Sequence, residues 1–152
     1  MNSTVFLTVL SGALTYVVGQ VLLKLYIEPA LDLRKTVGLI AHAMVHRANV
    51  IQNPGVPTSE TMTQTSNELR TFSAQLQAHI YLIPRYGMLA LLFGLPSKAN
   101  VLSASKSLLG LSNSIYTANE SVYDANSKRV ENVCDSLGIY LSPDDRWRKE
   151  EK

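Results

Sequence analysis

No charged side chain occurs before Lys24, and from Val5 to Leu23 the chain is mostly apolar. At about 1.5 Å per residue a helix over that stretch reaches about 28 Å, close to the roughly 30 Å of a bilayer's hydrocarbon core. A cleaved secretory leader reads differently. It opens on a basic segment, carries a shorter apolar core and ends at a small-x-small site. Here Met1-Asn2-Ser3-Thr4 has no side-chain charge, the apolar run is too long, and no clear cleavage site follows. The stretch reads as a retained membrane anchor over residues 1–24. Everything downstream must then fold beside a membrane.

The flanks give the anchor a direction. Lys24, Arg34 and Lys35 follow the span, and no basic side chain precedes it. The positive-inside rule puts the N-terminus outside and the rest in the cytoplasm; Glu28 and Asp32 weigh little in that rule. With 152 residues, the chain has room beyond the anchor for one small helical domain, expected over 25–141. The net charge of +2, with no one-sided cluster of Lys and Arg, argues against nucleic acid as a partner. A single cysteine, Cys134, excludes an internal disulfide and any cysteine-rich metal site, and reads as a small apolar filler on a helix face.

Helical periodicity organises the remainder. Within the anchor, Thr8, Gly12, Thr15 and Gly19 recur on one side, a small-residue stripe of the kind that lets membrane helices approach closely. Pro29 cannot donate to the Leu25 carbonyl, so it either kinks a continuous helix or starts a new one. Beyond it, Leu33, Val37, Ile40, Ala41, Met44 and Ala48 form a stripe, while Leu31, Leu39 and Val45 lie off it. That pattern suits the central helix of a bundle, or one lying against both bundle and membrane. Asn53-Pro54-Gly55-Val56-Pro57 ends it.

A third helix starts near Thr58 or Ser59, buries Leu69, Phe72, Leu76, Ile80 and Ile83, and closes at Pro84. The run Met88–Phe93 is too short to cross a bilayer; it packs in the core or touches the membrane surface. Ser97 caps a fourth helix buried through Val101, Ala104, Leu108, Leu111 and Ile115. Thr117-Ala118-Asn119-Glu120 reads as a capping box for a fifth, buried through Val122, Val130, Val133, Cys134 and Leu137 and stopped at Gly138. Residues 142–152 are charged, with Trp147 alone to bury, and read as a flexible tail. The expected fold is all-α: one transmembrane helix, then a compact cytoplasmic bundle of about four helices.

Gly19-Gln20, Ile27-Glu28-Pro29, Arg34-Lys35, Gly38, Ile40-Ala41-His42, Ala48-Asn49, Ile83-Pro84, Tyr86, Leu95-Pro96 and Leu109-Gly110-Leu111-Ser112-Asn113-Ser114 together resemble a family of small bacterial single-pass inner-membrane proteins. The resemblance covers most of the chain except the tail. It implies an inner-membrane protein with a cytoplasmic helical domain, and it brings no assigned chemistry.

Candidate sites come from the residues themselves. His42 and His46 share a helix face at the spacing used for metal, but Ala43 stands where a zinc-protease helix carries Glu. Asn49, His79, Tyr86, Ser112 and Asn113 are candidates for a small polar site inside the bundle, because Gly, Ser and Asn are poor helix formers that suit close packing or buried polar contact. No phosphate-cradling loop or nucleophile with a positioned base is present, so neither a cofactor nor a small-molecule substrate is implied. The expected role is an interaction or scaffolding subunit at the cytoplasmic face of a bacterial inner membrane. Its partners are the lipid bilayer and either copies of itself or another membrane protein. A rival reading is a self-assembling, membrane-perturbing effector in stress or phage defence. A third is a metal-dependent enzyme using His42 and His46.

Overall fold

The computed structural model describes residues 3–141. Every regular element among them is helical. Helix α1 (Ser3–Leu22) passes through one π-helical turn (Leu23–Ile27) into α2 (Glu28–His46), so 44 residues form a single rod. Then come α3 (Ala48–Gln52), α4 (Ser59–Leu82), α5 (Tyr86–Phe93), α6 (Lys98–Ser114) and α7 (Glu120–Leu137). The expected boundary at 24/25 is therefore crossed without a break. The tail over 142–152, with Trp147, lies outside the described residues.

Pro29 explains the wide turn. Its ring would strike the Leu25 carbonyl in a regular α-helix, and it has no N–H to donate. The backbone widens instead, and the Glu28 N–H reaches five residues back to the Leu23 carbonyl. Pro29 then falls in the first turn of α2, where its missing N–H does no harm.

Helix α6 is the centre of the bundle, with α4 on one side and α7 on the other; α2 lies along α4 and touches α7. Of the two placements expected for the helix after Pro29, the central one is corrected. Only one face of α2 is covered, through Ala30, Leu33, Thr36, Ile40, Ala43 and Met44, while Leu31, Leu39 and Val45 are exposed. Helix α6 takes the middle because it buries two sides and carries small residues, Ala104, Ser105 and Ser112, where neighbours come close. The core joins Leu33, Ile40, Met44, Leu69, Leu76, Leu108, Leu111, Val130 and Val133, all essentially inaccessible.

Two pairs of contacts set the direction of α4. Thr36 meets His79, and Arg47 meets Glu68. Eleven residues forward on α2 correspond to eleven back on α4, so the two run antiparallel. The end of α4 thus returns to the start of α2, next to α1.

Helix ends follow local chemistry. Thr58 and Ser97 cap α4 and α6 by accepting the Thr61 and Asn100 N–H groups, and Gly138 ends α7 in the left-handed region at φ +68°. The capping box is corrected: α7 is capped by Asn119, whose Oδ1 accepts the Ser121 N–H at 3.2 Å, so Thr117 stands two residues outside the cap. Asn is at least as good a cap as Thr. At Gly55, φ is +77° and an added Cβ would come 3.0 Å from that of Ala118, so the loop before α4 locks against the loop before α7.

Candidate functional site

The polar residues singled out from the sequence do not converge. Asn49 is exposed and accepts from Asn53 Nδ2 on its own helix end. The Tyr86 hydroxyl donates to the Pro96 carbonyl at 2.7 Å, and burial raises its pKa. Ser112 turns its hydroxyl to the Leu109 carbonyl, and Asn113 accepts from Arg70 across the α4–α6 seam. These side chains anchor four separate places. His42 and His46 stack with ring centroids 5.3 Å apart on the exposed face of α2. Among the described residues no third His, Cys, Asp or Glu joins them.

Among the described residues, His79 joins a position in a cleft to a polar partner on another helix. It lies in a cleft of about 380 Å³ between α2 and α4, lined by Asp32, Lys35, Thr36, Gln75, Ala78 and Leu82. Its Nε2 is 2.9 Å from the Thr36 hydroxyl. That hydroxyl donates its one proton to the Asp32 carbonyl. Nδ1 is buried with no partner. Burial pulls the His79 pKa below 6.5, against a smaller upward pull from the Asp32 carboxylate. Lys35 is paired with that carboxylate at 3.0 Å. The cleft therefore sets an imidazole whose free nitrogen is closed off from solvent beside a surface ion pair.

The small-residue stripe of α1 keeps one side, as its spacing requires. Gly12 and Gly19 have open space where a Cβ would go. Thr8 and Thr15 spend their hydroxyls on the carbonyls of Thr4 and Ser11. The stripe is thus a smooth, self-satisfied strip, suited to contact by shape and not by hydrogen bonds across helices.

A polar feature missed in the sequence runs through the bundle itself. Ser73 Oγ donates to the Ser105 carbonyl while Ser105 Oγ donates back to the Ser73 carbonyl, at 2.9 and 3.0 Å. Ser66 Oγ donates to the Ser112 carbonyl. Asn132 bridges Ser103 and Ser107, and Asn126 binds the Ile51 carbonyl. The signal was present: serines seven apart on α4 and seven apart on α6, in register for an antiparallel pair.

No known protein family, curated protein or solved structure matches the chain.

Proposed function

We propose that the chain is a single-pass protein of a bacterial inner membrane, its N-terminus outside and its bundle in the cytoplasm, acting by binding and not by catalysis. One observation carries this reading. The rod Ser3–His46 buries nothing along α1, yet α2 is built into the core. Apolar side chains exposed along a whole helix need a second apolar phase, and lipid supplies it. One rod belongs to both environments, so the bundle is joined to the anchor without a loop. That coupling suits a subunit that holds or orients a partner at the membrane.

Two surfaces are available for partners. The Gly12–Gly19 strip fits another membrane helix, whether a second copy or a different protein. The outer face of α2, with Leu39 and Val45 exposed, fits a cytoplasmic domain. The experiment is extraction in lipid nanodiscs at native expression level, followed by intact-mass determination of the particle and identification of its chains. A second protein in fixed stoichiometry, or a defined homo-oligomer, supports a binding role. A lone monomer under all mild extraction conditions contradicts it.

A further inference from the structure

Helix α5 is apolar all round, yet only one side is covered. Tyr86, Leu89 and Ala90 are buried, whereas Met88, Leu91 and Leu92 are 57%, 88% and 73% exposed on the opposite face. Just before it, Tyr81 and Leu82 at the end of α4 are exposed as well. A soluble bundle gains nothing from such a face, and the fold places it at one particular end of the molecule.

Three observations give that place. The antiparallel register of α2 and α4 brings Leu82 beside Asp32, at the anchor's end of α2, where both line one cleft. The turn through Arg85, at φ +49°, then swings the chain, and α5 stands at 92° to α6. Since α6 pairs antiparallel with α4 along the bundle, α5 lies across the bundle's end. Finally, Arg34 donates from α2 to the Phe93 carbonyl, tying the end of α5 to the rod. Side chains on a helix lean toward its N-terminus, so Arg34 reaches toward the membrane to make that bond.

Burial begins at the same level. Tyr26 packs against the core and Ala30 is 3% exposed, whereas Leu25 and Ile27 remain open. Ala30 is about 9 Å along the axis from Lys24, and half a helix diameter, about 5–6 Å, brings the outer side chains of α5 closer still. What remains is no more than the depth of a headgroup layer, roughly 5–7 Å on each side of the hydrocarbon. Arg34, Arg85 and Lys98 flank α5, with Lys24 and Lys35 on the rod, against Glu28 and Asp32 at the same level.

We infer that α5 is an interfacial helix, lying flat in the cytoplasmic headgroup layer with Met88, Leu91 and Leu92 directed at the acyl chains. It rests on the reading that α1 spans the bilayer. The occupant of the face is the bilayer that the anchor already enters, which requires no new encounter. Two attachments, one across the membrane and one along it, fix the height and tilt of the bundle. Basic residues round an apolar face are the chemistry of an anionic lipid surface.

The test places single nitroxide labels in the full chain, in nanodiscs of phosphatidylethanolamine and phosphatidylglycerol. Leu91→Cys and Leu92→Cys are compared with Thr71→Cys, exposed midway along α4, and Val17→Cys in the anchor, all in a Cys134→Ala background. Collision with oxygen, which concentrates in lipid, and with a water-soluble nickel chelate is then measured. The expected result is severalfold lower nickel accessibility at 91 and 92 than at 71, with oxygen accessibility retained. Water-like values at 91 and 92, with lipid-like values at 17, overturn this inference and leave the anchor intact. Water-like values at 17 overturn both. Protection of 91 and 92 from both reagents means that protein covers the face, which also overturns it.

Discussion

The two halves of one rod teach opposite lessons. Helices α1 and α2 share a backbone, a direction and nearly a length, yet α1 buries no residue within the chain and α2 buries six. What differs is the solvent each was composed for. Along α1 there is no charge, and Thr8, Gly12, Thr15 and Gly19 lie in a strip; along α2, Asp32, Arg34 and Lys35 appear on the face that the core does not cover. The π turn between them adjusts the meeting of the two at Pro29 without breaking the rod. Secondary structure is thus the same physical answer in both halves, while packing is supplied by the bundle in one and, in the function proposed above, by lipid in the other.

The sharpest way to break this contrast is to cut the core on one side and the anchor on the other. Leu108→Ala removes a fully buried side chain at the centre of α6 and is expected to cost about 2–5 kcal/mol of bundle stability in denaturant melts. Leu14→Ala, a truncation of the same kind in α1, is expected to shift the same melt by less than about 0.5 kcal/mol. Equal effects would show that the anchor packs on the bundle. Leu14→Arg attacks the other solvent: it is expected to weaken insertion by about 2.5–3.5 kcal/mol, read as the fraction surviving alkaline carbonate extraction.

Within the bundle, the serine seam makes a smaller prediction. Ser73→Val forces a branched side chain between α4 and α6 and is expected to cost about 1–3 kcal/mol. Ser73→Ala, which loses only the hydroxyl, is expected to cost about 1 kcal/mol. A reversal of that order would mean that hydrogen bonding, and not close approach, decides the seam.

The smallest effect concerns pH. Because the folded His79 pKa lies below its unfolded value of 6.5, the unfolded chain takes up the proton first. Stability is therefore full above about pH 6.5 and falls as pH drops through the window beneath it. Replacement by His79→Gln is expected to flatten that slope, measured as the melting midpoint between pH 7 and pH 5. An unchanged slope would assign the acid sensitivity elsewhere.

Much of this was legible from periodicity. The buried faces of α4 and α6 could be read residue by residue, because a 3.6-residue apolar stripe has one physical use in a globular bundle. The centre of the bundle was not legible, since α2 and α6 are both apolar on more than one side, and only tertiary contact shows that α2 leaves Leu39 and Val45 uncovered. The candidate site fared worse. Asn49 and Tyr86 are satisfied by groups near them in sequence, and no sequence rule separates a cap or a turn bond from a site. Asn113 and His79 find partners on other helices, Arg70 and Thr36, which only the tertiary packing reveals. The capping box failed because Asn119, two residues after Thr117, caps at least as well, and the choice between them depends on where the loop from Ile115 ends.

The central claim is that one continuous helix is held by lipid along α1 and by protein along α2. Hydrogen exchange on the full chain in phospholipid nanodiscs tests it most directly. The account predicts strong protection over Val5–Leu22 and again over Leu33–Met44, with the exposed Ala118 and Asn119 between α6 and α7 exchanging quickly in the same sample. Rapid exchange over Val5–Leu22 with lipid present, beside a protected α2, would contradict it.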